Sequence, residues 1–330
     1  MGEKYMPASL SIIIPAYNAA EYIEECVESV ISGTCRELEV LLIDDGSTDR
    51  TGHLCDCLAE KYSAVQVFHT DNQGIAEARN LGIDHASGQY IGFVDADDTV
   101  TPNMFDEMIN CMSSDIQLVV CRYHRCKEND KGLVDEPTNS KVLVNQAGTV
   151  ERLLKNEYGA FVWNKLFRKE ILEAEHIRFP KNSRSMEDLF FTWTYVKHCD
   201  KAVFIEDSLY FYVMHSNSIM NAFRQKRIVA NHYVSLPRGW RFCAETVEKL
   251  APELKNEPKA RTVMFYQTVL RKIEKPETEY IEEATAYVKQ NKSILCHYLW
   301  GWKYFPSAVM LSISYPLWSS IFRRGIAERQ

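Results

Sequence analysis

Gln89-Tyr90-Ile91-Gly92-Phe93-Val94-Asp95-Ala96-Asp97-Asp98 is an apolar run that stops abruptly in three carboxylates. Tyr90, Ile91, Phe93 and Val94 read as a strand inside a covered sheet, and such strands present ligands at their carboxyl ends. Asp95 and Asp97 therefore stand at a strand mouth. Clustered acids repel one another unless a cation neutralises them, and hard oxygen donors suit Mg2+ or Mn2+. Two readings stand side by side: a site for a metal and a diphosphate, or caps supplied by Asp97, Asp98 and Thr99 to a helix after Pro102. An EF-hand loop is disfavoured, because counting from Asp95 puts Val100 where the turn demands glycine and Asp106 where glutamate is preferred.

Upstream, strand and helix patterns alternate. Leu10–Ile14 is an apolar run stopped by Pro15, and Tyr22, Ile23, Cys26, Val27, Val30 and Ile31 then follow helical spacing. Leu38–Ile43 is the next strand, with Asp49 or Thr51 capping a helix that reaches about Tyr62. Val65–His69 makes a third strand, and Gly74 opens a helix closed by the Ser87-Gly88 turn. Four strands with three helices between them imply parallel βαβ units. A nicotinamide dehydrogenase is disfavoured, since Pro15-Ala16-Tyr17-Asn18 stands where a Gly-x-Gly-x-x-Gly turn belongs. No Gly-Lys-Ser/Thr follows any strand, so a P-loop is absent too.

Composition narrows the class further. A chain of 330 residues suits one large or two ordinary domains, and 46% hydrophobic with 25% charged residues is ordinary for a globular protein. The net charge of −7 argues against a nucleic-acid partner, which would require a basic face. The ten cysteines contain no Cys-x-x-Cys pair, Cys55 and Cys57 being too close and Cys121 and Cys126 too far apart for a zinc knuckle; they fit reduced thiols in a cytoplasm. No export is expected from an N-terminal run as short as Leu10–Ile14, and Met6 stands where a myristoylation motif needs Ser or Thr.

Taken together, Pro15-Ala16-Tyr17-Asn18, Asp44-Asp45-Gly46-Ser47-Thr48-Asp49, Asn72-Gln73-Gly74 with Ala78-Arg79-Asn80 and Gly82, and Asp95-Ala96-Asp97-Asp98 resemble family 2 glycosyltransferases of the GT-A fold. The likeness runs on more loosely through Trp163-Asn164-Lys165-Leu166-Phe167, Phe179, Glu187-Asp188, and Tyr212 with His215 to Met220. It implies an α/β fold, a mainly parallel Rossmann-like sheet flanked by helices, with a helical C-terminal extension. Residues 1–220 would be the catalytic domain, with a nucleotide-binding half over about 8–115 and an acceptor-side half over 116–220; residues 221–330 would be the helical region.

That resemblance also implies roles. Pro15, Ala16, Tyr17, Asp44, Asp45, Arg79, Asp95 and Asp98 would bind the donor, Asp97 with Asp95 the metal. Chemically these fit: a carboxylate accepts from an imide N–H or ribose hydroxyl, Tyr17 can stack on a base, and the Arg79 fork suits a diphosphate. Glu187-Asp188 opens a helix, and the pair supplies the catalytic base in the family; Asp188 is assigned as base and Glu187 as its support. Trp163, Lys165 and His215 are candidate acceptor or diphosphate contacts. Each residue also has a plainer reading: a turn for Asp44-Asp45, a salt bridge for Arg79, a helix-dipole partner for Glu187-Asp188, core packing for Trp163.

After residue 115 come a strand at Ile116–Cys121, a polar loop at 127–141 and a helix starting at Val150. Residues 225–292 show helical periodicity divided by Pro237, Pro252, Pro258 and Pro276. The final stretch is rich in aromatics, among them Trp300, Trp302, Tyr315 and Trp318 before Arg323-Arg324, and suits a membrane interface or an oligomer contact; Pro306 and Pro316 rule against a transmembrane span. The expected function is an inverting, metal-dependent hexosyl or N-acetylhexosaminyl transfer from a nucleotide-diphospho-sugar, UDP-linked by preference. The acceptor would be a saccharide or lipid-linked saccharide of a surface polysaccharide, at the inner face of the cytoplasmic membrane. Two alternatives are a haloacid-dehalogenase-like phosphatase, which Phe93–Thr99 resembles although three βα units precede it, and a non-catalytic nucleotide-sugar binder.

Overall fold

A computed structural model describes residues 10–33, 37–127, 137–155, 157–181, 185–215, 230–273 and 276–322. The chain divides into two compact units, Met1–Ser183 with Glu187–Asn221, and Arg184–Met186 with Ala222–Gln330.

The first unit is built on a nine-stranded sheet in the order β3-β2-β1-β4-β8-β6-β9-β5, with β7 paired to β9. Strands β1 (Leu10–Ala16), β2 (Leu38–Asp45), β3 (Val65–Thr70) and β4 (Tyr90–Phe93) are parallel. All seven residues of β1 are buried, so its continuous Ile run is what a strand covered on both faces requires. Each fully buried Ile or Leu there contributes about 1.5–3 kcal/mol. Helix α1 (Ile23–Ile31) buries Ile23, Cys26, Val27 and Val30, the i, i+3, i+4, i+7 stripe that fits one face to the sheet. Helices α2 (Thr51–Lys61) and α3 (Ile75–His85) complete the crossovers. Gly82 lets α3 lie on β1, because a Cβ there would come within 2.4 Å of Ile13 Cγ2. From β1 the chain goes to β2 and β3 on one side and returns to β4 on the other. The crevice beyond the carboxyl ends of β1 and β4 is thus a topological switch point, where open α/β sheets bind ligands.

Beyond β4 the sheet becomes mixed. The short β5 (Thr99–Val100) precedes α4 (Met104–Ile109), whose cap residue is Asn103; Asp97, Asp98 and Thr99 do not cap that helix. Strand β6 runs over Leu118–Cys126, longer than the expected Ile116–Cys121. Of the polar stretch 127–141, residues 128–136 lie outside the described residues; 137–140 are exposed, and Lys141 already begins β7 (Lys141–Asn145). Asn145 caps α5 (Gln146–Leu154) by accepting from the Gly148 N–H at 3.0 Å, which starts that helix before the expected Val150. Strand β8 (Lys165–Arg168) then inserts antiparallel between β4 and β6. Helix α6 (Lys169–Ala174) and helix α7 (Glu187–Val196) follow, and β9 (Lys201–Val213) runs parallel to β6.

The second unit contains the helices Ala230–Leu250, Asn256–Lys272, Thr278–Asn291, Phe305–Ile313 and Tyr315–Phe322. Its core joins Val263, Tyr266 and Leu270 to Tyr280, Val288, Leu311 and Trp318. The buried Trp318 indole donates to Ser307 Oγ at 2.8 Å, satisfying its one polar atom. Pro237 does not divide helices as the sequence suggested: Ala230–Leu250 runs through it. A proline removes a single N–H, and the turns beyond it bury Cys243, Ala244 and Val247. Among the described residues no helix is long and apolar enough to cross a membrane.

Candidate functional site

The register of β1 and β2 pairs Ala16 with Asp44, bringing the end of β1 beside the Asp44-Asp45 pair. Pro15 and Ala16 are buried within β1, whereas Tyr17, one residue on, is 51% exposed at the rim. Asn18 adopts φ +50°, and its Oδ1 accepts from the Thr48 N–H at 2.8 Å, tying the loops after β1 and β2 together. Asp44 accepts from the Ser47 N–H at 3.1 Å and pairs with His69 Nδ1 at 2.9 Å. Burial works to raise the Asp44 carboxyl, but its bonds to Ser47 and His69 hold it below the ordinary carboxylate range. Asp45 clasps the next loop with both oxygens, which accept from the Gln73 and Gly74 N–H groups at 2.8 Å each. Gly46, at φ +70°, makes the close turn: a Cβ there would lie 2.6 Å from the Asn72 nitrogen.

The charged centre lies where α3, the end of β4 and the start of α7 meet. Arg79 is buried, and its guanidinium reaches Asp188 Oδ1 at 2.5 Å, Asp95 Oδ1 at 2.8 Å and Glu187 Oε1 at 3.6 Å. Three carboxylates thus converge on one cation. Burial pushes the Asp188 carboxyl up to about 7, Glu187 and Asp95 push the same way, and Arg79 with a bond from the Val162 backbone N–H opposes them. A carboxyl in that range can hold or release a proton near neutrality. About one-fifth of its side chain meets solvent, which leaves a hydroxyl a route to it.

Asp97 and Asp98 stand beside this group. Burial raises the Asp97 carboxyl, and Asp95 adds to the effect. Asp98 is buried, accepting from Tyr210 Oη at 2.7 Å and from the Val213 N–H at 2.8 Å. Burial, then Asp95 and Asp97, drives its carboxyl well above the ordinary range. His215 is buried with Nε2 3.0 Å from the Asp97 carbonyl oxygen, its ring 4.2 Å from that of Tyr22. The motif residues 216–220 lie outside the described residues.

Trp163 and Lys165, candidate acceptor or diphosphate contacts in the sequence, are both buried, which agrees with the core-packing reading of Trp163. Because β8 sits in mid-sheet, Trp163 is 3% exposed and Lys165 is fully buried. The Lys165 ammonium donates to Asn164 Oδ1 at 2.8 Å and the Gly159 carbonyl at 2.9 Å, and burial pulls it down to about 7. It ties the turn at 158–159 to β8. Tyr210, absent from the sequence-based candidates, is central: its hydroxyl serves Asp98 and lies 3.2 Å from the Asp95 nitrogen, and its ring stacks on Trp163 at 4.3 Å.

Among the described residues no group of three or more His, Cys, Asp or Glu side chains is arranged to hold a metal by itself. The donor set nevertheless fits a hard divalent cation. Asp97 lies beside Asp95, and burial with that neighbour raises its carboxyl; Mg2+ or Mn2+ commonly takes one or two carboxylates with substrate phosphates and water.

The chain resembles known proteins in both sequence and fold. Residues 11–175 match the family described as Glycosyl transferase family 2. The chain is 32% identical over 226 residues to glycosyltransferase GlyG of Streptococcus pneumoniae, covering 65% of this chain and 74% of that one. It is likewise 32% identical over 238 residues to the glycosyltransferase YibD of Escherichia coli, 69% of each chain. In structure it is similar to residues 1–349 of TarS from S. aureus in complex with UDP-GlcNAc: TM-score 0.68, 18% identity, 98% of this chain and 92% of that one. A mannosyltransferase from Pyrobaculum calidifontis, solved with GDP-Man and Mn2+, gives a TM-score of 0.51 at 16% identity, over 99% of this chain and 89% of the other. At such identities the structural likeness bears on fold alone, and the fold is GT-A.

Proposed function

The chain belongs to glycosyl transferase family 2, and on that premise we propose that it transfers a sugar from a UDP-linked donor, with inversion, to a hydroxyl of a saccharide or lipid-linked saccharide. The carrying observation is the Arg79 bridge, which holds Asp188 and Asp95 on one guanidinium. It supports a base and a donor-side acid separated by the width of one side chain. Family membership leaves no place for the phosphatase alternative, in which Asp95 would attack phosphorus.

Asp188 accepts the proton of the acceptor hydroxyl as that oxygen attacks the anomeric carbon. The new C–O bond forms on one face while the bond to the diphosphate breaks on the other, and the electron pair leaves with the nucleotide. Arg79 and the Val162 N–H orient the carboxylate, and burial lifts its proton affinity to the range a base needs. Glu187, also on Arg79, balances the guanidinium from the same helix turn. Asp97, with Asp95, would hold a divalent cation, which when bound neutralises charge on the departing diphosphate. Tyr17 and Asp44, flanking the end of β1, would receive the base and ribose.

Heat denaturation with nucleoside diphosphates and nucleotide sugars, with and without Mn2+, tests the donor. A ligand that binds only the native state must stabilise it. A metal-dependent rise confined to uridine ligands is expected; no rise with any nucleotide sinks the proposal. Release of UDP from a bound UDP-sugar then separates an enzyme from a silent binder.

The second, helical unit is also proposed to lie at a membrane surface. From Ala284 to Ala327 the sequence holds no Asp or Glu but has Lys289, Lys292, Lys303, Arg323 and Arg324. Leu299, Trp302, Ile313, Leu317 and Ile321 are exposed there. Apolar side chains interspersed with cations, in a stretch of sequence without acids, suit an anionic lipid interface. Cosedimentation with vesicles rich in phosphatidylglycerol, but not with neutral ones, is expected; indifference to both would remove the idea.

A further inference from the structure

We propose that Tyr123, Arg125, Phe161 and Tyr212 form a subsite for a pyranose that carries an anionic group, one sugar along the acceptor from the reacting hydroxyl. Its identity as an acceptor site rests on the transferase proposal; the anion site itself does not.

The parallel register of β6 and β9 places Tyr123 beside Tyr210 and Arg125 beside Tyr212, so alternate residues of both strands share one face. On that face the aromatics form a continuous stack. Trp163, inaccessible itself, packs against Tyr210 at 4.3 Å, Phe161 at 4.8 Å and Tyr212 at 5.9 Å in near-parallel planes, with Tyr123 edge-on at 4.8 Å. Trp163 is thus the floor, and Tyr123, Phe161 and Tyr212 are the partly exposed layer above it. Partly exposed aromatic faces over a rigid floor are what the C–H faces of a sugar ring pack against.

This layer borders the chemistry on two sides. Val162, between Phe161 and Trp163, gives its N–H to Asp188. Tyr212 precedes Val213, whose N–H donates to Asp98 Oδ1 at 2.8 Å. An acceptor hydroxyl at Asp188 therefore has its neighbouring sugar unit within reach of the stack.

Arg125 supplies the charge preference. It is exposed, lies 5.7 Å from the ring centres of both Tyr123 and Tyr212, and makes no ion pair among the described residues. Its hydrogen bond to Tyr123 Oη is long at 3.5 Å. Arg122, three positions earlier, is by contrast committed to Glu206 at 2.5 Å and Glu157 at 3.2 Å. A guanidinium held between two rings, with its N–H edge unmatched by a carboxylate among the described residues, fits a carboxylate or phosphate bidentately. Carboxylate and phosphate are two sources of that charge on a sugar.

Weak binding of three probes, methyl glucoside, glucuronic acid and glucose 6-phosphate, is measured by saturation-transfer NMR on the full chain, with UDP binding followed separately. Wild type should bind one or both anionic sugars more tightly than methyl glucoside, and the better of the two identifies the anion. R125Q should remove that preference by about tenfold, the scale of a charge-assisted pair, while R125K keeps part of it and the UDP response stays unchanged. Equal binding of the three sugars, or a preference surviving R125Q, overturns the subsite. Should R125Q unfold, the wild-type preference must still fade as NaCl is raised; one insensitive to salt overturns the proposal as well. An anion preference without any UDP response would instead condemn the transferase proposal and leave the subsite standing.

Discussion

The acids that end β2 and those around the end of β4 are held in opposite ways. Asp44 and Asp45 are fastened by Ser47, His69, Gln73 and Gly74, partners 3 to 29 residues away. Asp98 and Asp188 are fastened by Arg79, Tyr210 and Val213 from 109 to 115 residues away. The first pair shapes its own loops, whereas the second is a meeting point of α3, α7 and β9. Losing a clamp in the first should therefore act locally, and losing one in the second should reach both chemistry and stability.

The largest expected effect comes from D188N, which keeps the shape and removes the proton acceptor. The sugar-transfer kcat should fall by about 10^2 to 10^4 with the UDP-induced rise in melting midpoint retained. D188N with full turnover would move the base elsewhere and erase the contrast. The pH profile sharpens the same point. Since burial raises the Asp188 carboxyl to about 7, wild-type kcat/KM should vary inversely with hydrogen-ion concentration below about pH 7. An acid limb near the ordinary carboxylate range would mean that another group takes the proton.

This contrast in how the acids are held also explains what the sequence revealed. Asp44 and Asp45 end β2, and Asp95 and Asp97 follow β4 within four residues, so the contiguous apolar runs located all four. Asp188 was legible as an acid opening a helix, although only the resemblance made it a base. β9 escaped notice because Glu206-Asp207-Ser208 splits its two apolar runs, at the point where its register with β6 shifts. Tyr210 went with it, since nothing near it in sequence indicates a bond to Asp98. Lys165 misled for another reason. A four-residue strand of Lys-Leu-Phe-Arg is too short to show alternation, and a lysine in mid-sheet runs against every compositional expectation.

Next in size is the loss of Arg79. R79A would strand Asp95, Glu187 and Asp188 around a buried gap, and breaking a buried ion pair from one side costs about 3–5 kcal/mol. D45N, which exchanges an acceptor oxygen for an amide facing the Gln73 or Gly74 N–H, should cost about 1–3 kcal/mol. Urea unfolding of the two variants compares them directly. If D45N proved the more damaging, local clamping would matter more than the long-range junction.

The smallest effect is expected from Y210F, which separates packing from hydrogen bonding at that junction. The ring remains stacked on Trp163, so the cost is confined to the hydroxyl that Asp98 accepts from. A lost bond to a buried carboxyl costs about 1–3 kcal/mol, and Asp98 keeps the Val213 N–H, which places Y210F toward the lower end. Stability should also become more sensitive to pH. Without the phenol as donor, the charged form of Asp98 is less favoured, and its carboxyl rises further from the ordinary range. A folded-state value raised further above the unfolded one means that more stability is lost as pH rises from the unfolded value toward it. Y210F should therefore fall further behind wild type in urea titrations as pH rises past the wild-type Asp98 value. No deficit at any pH would show that Tyr210 acts through its ring alone, and that β9 meets the acids by packing rather than by a hydrogen bond.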